Sequence, residues 1–406
     1  MRSFLETYGI AILTLVLMTI LIAFASPIGK IIKTATNVQI TNIDRIGTRE
    51  IGKTSSEATD SVYACLYNDG NLILSSHEIE NKNNVLQDYG KTNTHPWIGS
   101  NENPNTTVKT VTFQDVVKLT NCCKLFMACE NLTTIKNIEN LDTSACTNMS
   151  YMFGSCNNLE NVDVSSFDTS NVLDMSGMFS ASSNQTNSFA YLDVSHFNTS
   201  KVQDMRWMFY GCKNLRTLNL SNFDTNNVKN MHEMFYGCEN LTNLDLSNFH
   251  TFECTSMSNM FFGCNKLKTL NVSSFDTSNV SNMTGMFSAS SNQTNELESL
   301  DVSHFNTAKV EDMRWMFYGC KNLKTLNLSS FDTRNVKNMH EMFYNCASLT
   351  NLDLSNFDTS NVTTMTLLFT NCLNLKTITV SSSWNTSKAD TTDMFKNCGT
   401  SQFTKK

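Results

Sequence analysis

Apolar positions along most of this chain keep one rhythm. A Met-Phe step, written Leu-Phe at two places, sets phenylalanine at Phe126, Phe153, Phe179, Phe209, Phe235, Phe261, Phe287, Phe317, Phe343, Phe369 and Phe395, at intervals of 26, 27 or 30 residues. Units of that length are single supersecondary elements that stack and share a continuous core. The pattern therefore predicts a solenoid of about eleven coils.

The unit from Leu215 to Cys238 shows the internal order. Leu215, Leu218, Leu220 and Phe223 have the spacing LxxLxLxxF, which resembles the leucine-rich repeat. Alternation at Leu218 and Leu220 predicts a short strand with both leucines inward and Asn219 outward. Asp224 to Asn227 is a run of short polar side chains that reads as a turn and helix N-cap. Val228, Met231, Met234, Phe235 and Cys238 then form the apolar stripe of about three helical turns. Gly237 marks the stop, and Gly or Asn holds that position in seven of the eleven units. The fold class predicted is an α/β solenoid, a leucine-rich-repeat-like stack of strand-turn-helix coils with a parallel ladder between neighbours at ~4.8 Å.

Four segments follow from the pattern. Residues 1–35 hold an N-terminal hydrophobic helix: Gly9 to Ala25 is apolar apart from Thr14 and Thr19, and residues 9–28 approach the length of a membrane span. Arg2 and Ala23-Phe24-Ala25 also fit a signal peptide cleaved after Ala25. Residues 36–107 form a small β-containing region and linker, with a hairpin of Val62–Tyr67 and Asn71–Leu74 across Asn68-Asp69-Gly70, and a loop over 81–107. Residues 108–398 are the solenoid, whose first side chains Val111, Phe113, Val116, Val117 and Leu119 are available to cap the first coil. Residues 399–406 are a tail too short to cover much.

Composition narrows the partners. A formal net charge of −7 from 30 basic and 37 acidic residues, without long runs, gives no basic stripe and argues against nucleic acid. No HExxH, glycine-rich phosphate loop or nucleophile motif occurs, so the chain reads as no enzyme, with no catalytic residue and no cofactor. Cys129, Cys156, Cys212, Cys238, Cys264, Cys320, Cys346, Cys372 and Cys398 form a ladder three residues past each phenylalanine. That ladder reads as buried packing in preference to disulfides, and the absence of CxxC and Cys/His zinc spacings argues against a metal site.

The extended unit CxxLxxLDLSxFDTSNVxxMxxMF, seen from Cys346 to Phe369 with Leu368 in place of the last methionine, resembles the signature of BspA-like leucine-rich-repeat surface proteins. The resemblance covers roughly residues 110 to 400 and implies a cell-surface or secreted protein, with adhesion to host or matrix proteins as one role known in such proteins. It carries no ligand with it.

A longer period overlies the first. Residues 166 to 249 recur at 274 to 357, a shift of 108 residues or four coils, with SASSNQTN and MRWMFYGCKNL intact. Trp207 and Trp315, two before the phenylalanine, stand where other units carry polar residues and are expected to face solvent. With Arg206, Arg314, Tyr210 and Tyr318 they are the candidate partner-binding residues, because Trp, Tyr and Arg dominate interface energetics. Local packing is the competing reading of the same indoles. A row of outward Asp and Asn from Asp163 to Asp353 reads as a solvated ladder before a calcium site. The function expected is therefore a membrane-anchored or secreted cell-surface repeat protein, repeats outside, that binds a protein ligand. The alternative is a structural spacer or coat without a specific ligand.

Overall fold

A computed structural model describes residues 61–182, 187–290, 293 and 295–406. The hydrophobic segment 9–28 lies outside the described residues, and among those described no helix is long and apolar enough to cross a membrane.

The chain is a β-solenoid of about eleven turns. This corrects the strand-turn-helix coil: among the described residues there is no α-helix, and the sole helical element is a 3-10 turn at Ile138–Asn140. The Met-Phe segment shows why. An α-helix needs each N–H to reach the carbonyl four residues back, whereas here Met208, Tyr210 and Cys212 donate three residues back, to Met205, Trp207 and Phe209. The alternate amides, Met205, Trp207, Phe209 and Gly211, donate instead to Asn230, His232, Met234 and Tyr236 of the next coil at 2.7–3.1 Å. Trp207 and Gly211 have φ of 59° and 71°, the left-handed third positions of two tight turns. An apolar spacing of three suits such turns as well as it suits a helix.

The same pattern links every coil. Single parallel bridges run without a gap from Asn121 through Asn148, Asp174, Asp204, Asn230, Ser256, Asn282, Asp312, Asn338 and Thr364 to Asp390. On the leucine side the predicted parallel ladder forms as Asn243–Asp245 on Thr269–Asn271, and Asn351–Leu354 on Thr377–Val380 on Thr404–Lys405. Leu244 is buried there between exposed Asn243 and Asp245, as a two-residue pleat requires.

A third side is sewn by threonine. Asp224-Thr225 is no N-cap: Thr225 is buried and donates its hydroxyl to the His250 carbonyl of the next coil at 2.9 Å. Thr307 both donates to the Asp332 carbonyl (2.9 Å) and accepts the Asp332 N–H (2.8 Å). The acidic residue does make the predicted turn, since the Asp224 carboxylate accepts the Asn226 N–H at 3.0 Å.

The core is a column of rings. Successive phenylalanines from Phe126 to Phe395 stack with centroids 5.6–6.0 Å apart. The cysteine ladder lines it as free, mostly buried thiols, and those from Cys156 to Cys372 donate to the preceding coil's phenylalanine carbonyl, as Cys238 does to Phe209 at 3.2 Å. Burial raises these thiols, to about 12 for Cys264 and Cys372.

Both ends are covered. The hairpin of β1 (Val62–Tyr67) and β2 (Asn71–Ser75) is antiparallel as predicted. The segment read as a loop contains a further strand, β3 (Val85–Thr92), paired antiparallel with β1 through two register shifts. β2 then pairs in parallel with β4 (Thr110–Phe113) and β4 with β5 (Thr134–Lys136), so the hairpin sheet runs on into the first coils. Trp97 is fully buried there and donates Nε1–H to the Leu125 carbonyl at 2.8 Å. Val111, Phe113, Val117 and Leu119 are buried as expected, but Val116 is 60% exposed and points away. At the other end Phe403 packs on Trp384 (5.1 Å) and Phe395 (5.4 Å), more cover than the short tail promised.

Candidate partner-binding face

The residues two before the phenylalanines form a row along one side of the solenoid, which from the second coil to the ninth reads Tyr151, Gly177, Trp207, Glu233, Asn259, Gly285, Trp315 and Glu341. Their amides bond to the next coil and their φ lies between 53° and 60°, so the backbone fixes where each side chain leaves it. The row is scaffold, and what differs from coil to coil is chemistry.

Trp207 and Trp315 are half-buried in it, less open than the sequence led us to expect. Trp207 Nε1 donates to Glu233 Oε2 at 3.0 Å and Trp315 Nε1 to Glu341 Oε2 at 2.8 Å. Arg206 lies over the Trp207 ring at 5.3 Å and Arg314 over Trp315 at 5.6 Å, a cation–π arrangement. Asp204 and Asp312 hold these guanidinium groups at 3.0 and 3.1 Å. His232 and His340 stand edge-on to the indoles at 5.9 and 6.1 Å.

The carboxylates were the unpredicted partners. Glu233 is only 4% exposed and also accepts from Asn259 Nδ2 at 3.1 Å. Its position in a mostly polar row had argued for solvent. Burial raises Glu341 above the ordinary carboxylate value despite the Trp315 hydrogen bond. Burial also raises Asp204, to about 6, against the opposing pull of the Arg206 N–H and charge. His340 is lowered by burial and by Arg314. Its Nδ1 meets Thr366 Oγ1 and its Nε2 lies 3.6 Å from Glu341.

Tyr210 and Tyr318 belong to a different row. Tyr210 is buried and stacks on Tyr236 at 4.7 Å, which stacks on Phe262 at 4.7 Å. Tyr318 is half-buried and stacks on Tyr344 at 4.9 Å. The structure thus brings Arg206 to Trp207 and Arg314 to Trp315, and ties both tyrosines into packing.

The Asp and Asn row on the leucine side spends its oxygens locally. Asp193, Asp245, Asp301 and Asp353 each accept the N–H of the serine two residues on, at 2.9–3.0 Å. Among the described residues no group of three or more His, Cys, Asp or Glu side chains is placed to hold a metal ion.

A comparison with curated proteins gave no match. A protein family described as "Mycoplasma protein of unknown function, DUF285" matches three successive stretches, residues 99–190, 181–300 and 289–406. Together those stretches span the solenoid from end to end. The chain belongs to this DUF285 family of Mycoplasma proteins of unknown function.

Proposed function

We propose that the chain is a membrane-anchored or secreted cell-surface repeat protein whose solenoid binds a protein ligand of a host, matrix or neighbouring cell through the Trp207 and Trp315 clusters. The observation that carries this reading is the twice-written pairing of a half-buried indole with an arginine over its ring. Trp and Arg at a firmly held position are the residue types on which interface energy concentrates. The likeness of the extended unit to BspA-like surface proteins and the apolar segment 9–28 support a surface location. No catalytic residue is assigned.

A spacer or coat role draws support from the Asp and Asn row, whose oxygens serve their own turns. Protease shaving of intact cells followed by a pull-down on matrix and host proteins separates the readings. Surface cleavage with saturable capture that Trp207→Ala and Trp315→Ala abolish together supports the binding role. Protection of the repeats, or capture indifferent to both substitutions, overturns it.

A further inference from the structure

On the threonine side one coil breaks the unit. Nine turns, from Asp142 to Asn385, carry Asp or Asn directly before the threonine, and His250 stands in the tenth. In each of the nine the side-chain oxygen accepts the N–H of the residue two further on, at 2.8–3.2 Å. The His250 imidazole makes no such bond, and the Phe252 N–H has no hydrogen-bond partner among the described residues. In the second copy of the duplication Asp358 and Ser360 hold the same places, and the bond is made at 2.9 Å.

The same coil presents an aromatic ring to solvent. Phe252 is 58% exposed, the one phenylalanine among the exposed large apolar side chains of the described residues. It borders an open groove of ≈ 460 Å³ whose other walls are Asn226, His250, Thr251, Ser274 and Asp276. That volume falls within the range of small-ligand sites, about 300–1,000 Å³. Asn226 gives its Nδ2–H to Asp224 at 2.8 Å, which leaves its side-chain carbonyl oxygen as an acceptor. The Ser278 hydroxyl and amide hold Asp276 below the ordinary carboxylate range, so it stands ionised at the groove.

These groups select a ligand by their chemistry. The Phe252 N–H requires an acceptor where the repeat's own carboxylate is missing. Asn226 and Asp276 require donors, and the phenyl ring requires an apolar face. An anion would meet the Asp276 charge, and a cation would leave the Phe252 N–H unmet. A pyranose has hydroxyls that both give and take hydrogen bonds, and C–H groups gathered on one face. We propose that the groove beside Phe252 binds a sugar ring of a glycan, its C–H face packed on the phenyl ring and one hydroxyl oxygen taking the Phe252 N–H. Asn226 and Asp276 accept from neighbouring hydroxyls. The site lies on the threonine side, off the tryptophan row, and stands independently of the protein-binding role given to that row.

The probes are the methyl glycosides of glucose, galactose, mannose and N-acetylglucosamine, each titrated into the full-length protein at millimolar concentration and followed by saturation-transfer NMR. Saturable binding of at least one is expected. Phe252→Ser, the residue of the second copy, weakens it by about tenfold or more, the scale of a lost aromatic contact. His250→Asp restores the turn's own acceptor for the Phe252 N–H and weakens it by about threefold or more, the scale of one hydrogen bond. Both substitutions write the sequence of neighbouring coils, so the variants should melt no lower than the parent, which separates lost binding from lost fold. No saturable binding of any of the four probes, or binding that survives the double substitution, overturns the site. Capture of a protein partner that depends on Phe252 while no glycoside binds would also overturn it, by assigning the ring to a protein contact.

Discussion

Trp207 donates its indole N–H to Glu233 at 3.0 Å, and that bond runs from one coil to the next across 26 residues of sequence. It joins a half-buried indole to one of the most buried carboxylates of the face. The indole is therefore held by its polar edge while part of its ring stays open to solvent, an arrangement that limits the entropy a partner's binding would cost.

Glu233→Ala leaves the Trp207 indole N–H and the Asn259 amide without acceptors in a buried place. The loss expected is roughly 1–3 kcal/mol of stability, with a red-shifted tryptophan emission as Trp207 loosens. Glu233→Gln keeps an acceptor and should lose less. Chemical denaturation monitored by fluorescence checks both, and an alanine variant as stable as the parent would show the bond to be idle.

Phe235 sits mid-column, with Phe209 and Phe261 both 5.7 Å away. Phe235→Ala should cost about 3–5 kcal/mol, as for other large core rings. Because solenoid coils are coupled through nearest neighbours, the loss should also split unfolding into separate transitions for the two flanking blocks. Calorimetry reads both effects.

Thr307→Val removes a buried hydroxyl that both gives to and takes from the Asp332 backbone. The shape is conserved and two backbone groups are orphaned, so roughly 1–3 kcal/mol is expected per unsatisfied group at most. Faster hydrogen exchange should be confined to the Asp332 amide and its immediate neighbours.

Asp204 carries a pH signature. Its folded value, about 6, lies above the ordinary 3.8, so the folded state holds the proton more tightly. The stabilisation this gives is complete below pH 3.8 and is lost as pH rises through about 6. Asp204→Asn cannot lose it, so the variant should gain on the parent in melting temperature between pH 4 and pH 7 and match its trend below. Parallel melting curves across that range would refute the assignment.

The fourteen free cysteines offer a check on packing. All but Cys123 and Cys398 are buried, and burial raises ladder thiols such as Cys212 and Cys320 to about 12. A thiolate reagent at pH 8 should therefore label at most those two quickly in the native protein and all fourteen after denaturation.

Much of this was legible in the chain. The Phe recurrence gave the coil number, but Gly or Asn two residues on, read as a helix stop, instead holds the left-handed third position of a tight turn at Gly211, Gly237 and Asn345. The buried thiol ladder followed from its fixed place in the unit. Val228, Met231, Met234 and Phe235 were equally compatible with a helix, because three-residue turns and a helical face bury the same positions. What separates the two is where alternate amides send their hydrogen bonds, and that depends on a coil 26 residues away.

The candidate face shows the same division. Sequence placed Trp207, Trp315, Arg206 and Arg314 together because they are adjacent, and the duplication paired them. It could not pair Trp207 with Glu233 or Tyr151, which come from other coils, nor see that Tyr210 is committed to Tyr236. The sequence by itself determined the repeat, its register and the side chains that line its core, since these are local periodicities of apolar and turn-forming residues. Only the tertiary structure decided the β-solenoid form and the make-up of the tryptophan clusters, because both arise from contacts between stacked coils.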